Sequence, residues 1–159
     1  MNEDQKKLIR KITQPIPFFW FMLLRLPSVA FWKIKVKSLT LTQCQTTLPF
    51  TWRTQNPFGS IYFSALAGSA ELASGLLCML HLAGGSKFSM LVTDFQATFH
   101  KKAVKTVIMH CNDGLLLKET LNQLKAPGDT AIQVLTIEGK DSDGVPIGSF
   151  KVTWSFKRK

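Results

Sequence analysis

NPFGSIYFSALAGSAELASGLLCMLHL, residues 56–82, is the stretch on which the fold turns. Asn56-Pro57 followed by Gly59 is a turn signal, and Ser60 fits the N-cap of a helix. The residues beyond it carry no Pro, are rich in Ala and Leu, and run into Gly84-Gly85, which ends the helix. Such a helix would be about 35 Å long, the width of a small domain. Apolar residues from Ile61 to Leu80 wrap most of its circumference, which predicts burial. The exception is a stripe of mostly small residues at helical spacing: Ser60, Ser64, Gly68, Glu71, Ser74 or Gly75, and Cys78. Small residues let another backbone or an extended ligand approach closely. Glu71 is the only acidic residue between Asp4 and Asp94. A carboxylate on a buried helix is costly unless it is paired, protonated or functional.

The chain has 159 residues, 45% of them hydrophobic, which suits one domain with a real core. The net charge is +10. That charge fits either a solvated basic surface or an anionic partner: nucleic acid, a membrane surface, or a phosphorylated cofactor such as coenzyme A. Cys44, Cys78 and Cys111 are an odd set without CxxC spacing, against a disulfide framework and against zinc. A reducing, cytoplasmic compartment is expected. His81, His100 and His110 have no ligand spacing, so no metal is expected. The apolar run Phe18–Leu24 is too short to span a bilayer and does not read as a signal region.

Residues 1–15 read as a charged N-terminal extension, frayed or starting a helix, and 16–159 as a single domain. A short apolar helix is expected from Phe18 to Leu26, either a cover helix or an interfacial anchor, since Phe18–Phe21 lie beside basic residues. Lys33–Lys37 alternates as a strand, with a bulge near Ser38 where the apolar phase slips. Gln43–Trp52 follows, demoted at Pro49. After the long helix come strands Ser89–His100 and Val104–Cys111, then a helix Leu115–Lys125. Strand Thr130–Glu138, a turn at Asp141–Gly144 and strand Ile147–Phe156 close the chain. This order predicts an α+β fold in which a mainly antiparallel sheet of five to six strands wraps one long helix, with an extra N-terminal helix.

A long apolar helix placed after two strands resembles the hotdog fold. The run NPFGSIYFSALAGSAELASG most resembles the thioesterase-like DUF4442 branch of hotdog proteins, over roughly residues 16 to 158. The phenylacetate-pathway (PaaI-like) acyl-CoA thioesterases carry Asn, Gly, His-Gly-Gly and then an acid along this helix. On that pattern Asn56, Gly59 and Glu71 match, whereas Tyr62-Phe63-Ser64 replaces His-Gly-Gly. The resemblance implies helix-start amides that polarise a thioester carbonyl, and the bulk of Phe63 stands where a glycine would be. It also implies a homodimer or dimer of dimers, with Asn56 of one subunit near Glu71 of the other.

The expected activity is therefore hydrolysis of an acyl-CoA or acyl-carrier thioester, with coenzyme A as part of the substrate and no separate cofactor. Glu71 is the general base or nucleophile, its pKa raised by apolar surroundings, or else a structural partner of Arg53. Asn56 places water or simply opens a turn. Ser60 and Ser64 contact an oxyanion or cap the helix, and Tyr62 donates to a carbonyl or packs in the core. Gly68 lies on the stripe where an acyl chain would run. Lys101, Lys102 and Lys105, or Lys33, Lys35 and Lys37, hold phosphates or are solvated. Nucleic acid is not expected, because Phe150, Trp154 and Phe156 alternate into a core rather than outward. The alternative is a non-catalytic acyl- or lipid-binding hotdog protein, with peripheral membrane contact as part of that alternative.

Overall fold

The computed structural model describes residues 1–159. Prolines divide the N-terminal 31 residues into helices α1 (Glu3–Thr13), α2 (Pro15–Arg25) and α3 (Pro27–Phe31). Pro15 and Pro27 stand at first helical positions, where a missing N–H costs nothing, and Gln14 and Leu26 before them leave the helical region. Residues 1–15 are not frayed. Asn2 and Gln5 form a reciprocal capping box, with Gln5 N donating to Asn2 Oδ1 over 2.8 Å and Asn2 N to Gln5 Oε1 over 2.9 Å. The same two side chains donate to Ala83 O and Leu80 O. Orphan carbonyls at the end of the long helix are thereby satisfied, and α1 is pinned across it. Ile12 is buried beneath α1.

Strands β1 (Lys35–Leu39), β2 (Cys44–Leu48), β3 (Phe88–Phe99), β4 (Val107–Cys111), β5 (Thr130–Asp141) and β6 (Pro146–Arg158) form one sheet in the order β1-β2-β4-β5-β6-β3. Every pairing is antiparallel. The bulge expected near Ser38 lies between Val36 and Ser38. A second interrupts β3 between Val92 and Asp94. The β5–β6 hairpin closes where Asp141 Oδ1 accepts from the amides of Asp143 and Val145 and Gly144 adopts φ +82.

The long helix α4 (Phe63–Leu82) packs against this sheet, chiefly β2 and β4, and α5 (Gly114–Asn122) follows β4. The architecture is the expected α+β one. Leu66, Leu72, Leu76, Leu77 and Leu80 are buried with the inward faces of β4, β5 and β6, each contributing about 1.5–3 kcal/mol. By length and composition alone α4 could cross a bilayer, but 67% of its most apolar window is buried in the fold.

Three expectations are corrected. The helix begins at Phe63, with Tyr62 rather than Ser60 at the N-cap, and is about 30 Å long. Tertiary bonds hold its approach extended: Ile61 N donates to Ala103 O and Tyr62 N to Thr54 O. It is also not apolar-buried all round. Ser64, Gly68 and Glu71 are only half-buried, and Phe63 and Met79 are exposed. Finally, β5 runs three residues further than expected, to Asp141, and β4 starts at Val107.

Candidate active site

Glu71 sits midway along α4, half-buried between α2 and the β6–β3 end of the sheet. It lines an apolar hollow of about 400 Å³ with Leu72, Leu76, Met79, Met90 and Trp154. Phe21, Met22 and Arg25 of α2, with Leu26 just beyond it, complete its wall. No hydrogen bond or ion pair engages the carboxylate, and the chain's two salt bridges lie elsewhere, at Lys6–Glu3 and Lys105–Asp143. Arg53, the expected structural partner, instead stacks over Trp52 with its guanidinium carbon 4.6 Å from the ring centroid. Burial pushes the Glu71 carboxyl above its ordinary pKa, because no cation or donor offsets the loss of water.

The backbone around Glu71 is fixed. Trp154 Nε1 donates to Ser74 Oγ over 3.0 Å, and Ser74 Oγ donates to the Glu71 carbonyl over 3.0 Å. Gly75 exists for the same indole: a Cβ there would stand 3.3 Å from Trp154 Cζ2. A second hollow of about 440 Å³, between α1 and the end of α4, shares Met79 and Met90 with the first. The two make an apolar groove leading from the carboxylate, floored by adaptable methionines.

The small-residue stripe does not receive a ligand along its length. A Cβ on Gly68 would lie 2.9 Å from Trp32 Cζ3, so the indole of Trp32 already occupies that close approach. Trp32 is the C-cap of α3, delivered there by a tight helix ending. The two tryptophans that explain the stripe belong to α3 and β6, and residue spacing on α4 carries no sign of either.

The other expected site residues gather at the start of α4. Asn56, Ser60, Phe63, Lys101 and Lys102 line one hollow of about 380 Å³ with His100. Asn56 is a loop staple. Its Oδ1 accepts from Phe58 N and Ser60 N, and its Nδ2 donates to Ser60 Oγ and, over 3.4 Å, to Ile61 O. The amide therefore has no capacity left to place a water. Gly59 supplies the φ of +74 that the turn needs. Ser60 is buried and held by Asn56 rather than capping α4. Tyr62 is exposed, its ring edge-on to Phe63 at 5.4 Å, and not in the core. No side chain caps α4. The amides of Phe63 and Ser64 make no backbone hydrogen bond, so they point unpaired at the positive end of the helix dipole.

Ser64, Gly68 and Glu71 fall on one face, so the free amides and the carboxylate are aligned. They stand about 10 Å apart along the axis, with Trp32 seated between them. Within one chain they line different hollows. Of the lysines, Lys105 is paired to Asp143, while Lys33 and Lys35 rim a separate hollow beside α2. The three cysteines are free and buried. Burial raises their thiols, Cys111 to about 12, so none is a nucleophile at neutral pH. His81 donates from Nε2 to Leu41 O over 2.9 Å, and burial lowers its pKa.

The profile of one domain family, the domain of unknown function DUF4442, matches residues 17–156. No curated protein sequence matches the chain. Solved structures do. A Pseudomonas aeruginosa protein of unknown function, called a probable thioesterase, superposes with a TM-score of 0.75 at 17% identity, covering 94% of this chain and 99% of that one. A Haemophilus influenzae thioesterase gives 0.70 at 18% identity, covering 95% of each chain. A mutant of a Staphylococcus aureus thioesterase gives 0.64 at 18%, covering 81% of this chain and 97% of that one. At these identities the likeness is one of fold, and it is the hotdog fold.

Proposed function

We propose, starting from the fact that the chain belongs to the DUF4442 family, that it is a hotdog-type thioesterase acting on an acyl-CoA or acyl-carrier thioester. The observation that carries this reading is Glu71: a lone, unpaired carboxylate held at the head of an apolar groove. Structural carboxylates acquire partners, and this one has none. A base that is partly desolvated and raised in pKa is suited to take a proton from water. The hydroxide equivalent adds to the thioester carbonyl and the C=O pair moves onto oxygen. Collapse then breaks the C–S bond, releasing the fatty acid and a thiolate that takes up the proton. The acyl chain lies along the Met79–Met90 groove rather than along the stripe that holds Trp32.

An oxyanion needs donors, and the free amides of Phe63 and Ser64 supply them at a positive helix end flanked by Lys101 and Lys102. They stand too far from Glu71 of the same chain to share a reacting carbon. A second copy solves this by bringing its own helix start to Glu71. The β3 edge is the place for that copy, since Asp94–Phe99 is exposed on both faces of the strand. The lysine pair then meets the phosphates of coenzyme A.

The test is thiol release from a panel running from acetyl to palmitoyl and aryl thioesters, by wild type and Glu71→Gln. Turnover by wild type, falling on the order of a hundredfold or more in the variant, is the expected result. The acid limb of the wild-type rate should also lie above the ordinary glutamate value of 4.5, because Glu71 works only when ionised. A second reading is favoured by Phe63, whose exposed ring stands 56% open at the helix start: an acyl-binding protein without hydrolysis. No turnover by either protein, with an acyl ligand retained through purification, selects that reading.

A further inference from the structure

The N-terminal helices carry a feature that hydrolysis does not use. Along α2, Ile16, Phe19, Trp20, Leu23 and Leu24 are all exposed, Trp20 by 58% and Leu24 by 79%. Their spacing, i, i+3, i+4, i+7, i+8, makes one continuous apolar stripe. It is not the face that packs inward, which is Phe18 and Met22. The helix is thus apolar on both sides, one turned to the core and one to the outside. An exposed stripe of aromatic and leucine side chains on a short helix needs something to cover it.

Charge says what covers it. Residues 1–62 contain nine basic and two acidic side chains, Glu3 and Asp4. Glu3 is tied to Lys6. Beside α2 an apolar hollow of about 340 Å³ opens between Phe18, Phe19 and β1, and Lys33 and Lys35 stand on its rim. A second copy of this chain would bring the same positive field to the stripe and be repelled. A surface that offers hydrocarbon beneath a negative layer matches both parts at once.

We propose that α2 is a membrane-docking helix. Its Ile16–Leu24 stripe beds into the hydrocarbon boundary of an anionic bilayer, while Lys33, Lys35 and neighbouring basic side chains meet the headgroup phosphates. Trp20 lies at the depth where indoles prefer to sit. The reverse side of α2 walls the Glu71 hollow. Docking therefore holds that hollow behind α2, about 10 Å (one helix diameter) from the lipid, and the substrate becomes a long-chain acyl thioester that partitions into bilayers. That last step rests on the thioesterase reading, whereas docking itself does not.

The experiment is flotation of the full chain with vesicles of phosphatidylcholine, alone or with about a third phosphatidylserine, at low and high salt. Wild type is expected to float with the anionic vesicles, to shift its tryptophan emission to the blue, and to detach at high salt. Trp20→Glu/Leu24→Glu changes only exposed positions, so its melting temperature should hold while flotation falls at least tenfold. Lys33→Glu/Lys35→Glu should lower binding to anionic vesicles and leave the weak binding to neutral ones unchanged. Absence of flotation at low salt overturns the proposal. So does flotation that the Trp20/Leu24 variant retains, or a self-association that this variant abolishes while wild type ignores vesicles. Acyl-thioester turnover is read separately on soluble short-chain substrates, so failure of docking and failure of catalysis are distinguishable.

Discussion

Glu71 carries the argument at the scale of the residue, and stability tests it independently of activity. Burial holds its folded-state pKa above the unfolded value. The native state therefore binds the proton more tightly than the unfolded chain does. Stability is greatest below the unfolded pKa, declines as pH rises through the folded pKa, and then levels at a lower plateau. Glu71→Gln removes the ionisation that costs that stability. We expect the variant to melt at a higher temperature than wild type near pH 7, with the gap closing near pH 4, by thermal unfolding at both. A wild type that is the more stable of the two near neutrality would mean that Glu71 has a favourable partner, and the base assignment would go with it. Glu71 stands out in the sequence because a lone acid among apolar residues violates the local pattern, and the fold leaves it half-buried without a hydrogen-bond partner. Asn56 had two readings, a site amide or a turn opener, and its hydrogen bonds are those of a turn. Its spacing from Gly59 and Glu71 fits a catalytic motif, yet the same spacing serves an Asx turn that consumes its amide.

The elements divide along a physical line. Whatever depends on neighbours a few residues away was readable: the Ser38 bulge, the Asp141–Gly144 hairpin, the end of α4 and the one-sided face of β6. The start of α4 was not, because bonds to Thr54 and Ala103 hold Ile61 and Tyr62 extended. Nor was the meaning of Gly68 and Gly75, which are shaped by Trp32 and Trp154 from elsewhere in the chain. Trp32 reaches Gly68 through the ending of α3. There Lys33 N donates to Ala30 O and Ile34 N to Val29 O, the pairing of a Schellman motif. Lys33 occupies its left-handed position with φ 55, where glycine is the usual residue. The left-handed conformation costs a side-chain-bearing residue about 1–2 kcal/mol, and glycine loses part of that gain through its freer unfolded chain. Lys33→Gly should thus stabilise the fold by roughly 0.5–1 kcal/mol in denaturant titration. A loss instead would mean that the lysine stem covers the α1–α2 hollow more favourably than the cap is strained.

At the scale of the whole molecule, the unpaired edge is the outstanding feature. The sheet ends in β3, which has no partner on its outer side. Leu91 is 65% exposed there, with Phe95 and Phe99 exposed further along. Long edges that are apolar and unprotected pair with another chain. Here the pairing is productive in the proposed mechanism, since it brings one copy's helix start to the other's Glu71. The same basic charge that argues against self-association at α2 is absent from β3, which carries no Lys or Arg and a single acidic residue, Asp94. A homodimer of about twice the 17.8 kDa chain mass is therefore expected in sedimentation velocity. Leu91→Lys/Phe95→Lys places charges on exposed edge positions that natural edges use against pairing. The variant should sediment as a monomer with its melting curve lowered by the lost association. Its turnover should fall with its dimer fraction and recover as protein concentration rises. A variant that is monomeric and fully active would show that Glu71 needs nothing from a second copy. The donors would then have to come from its own chain, with Trp32 moving aside.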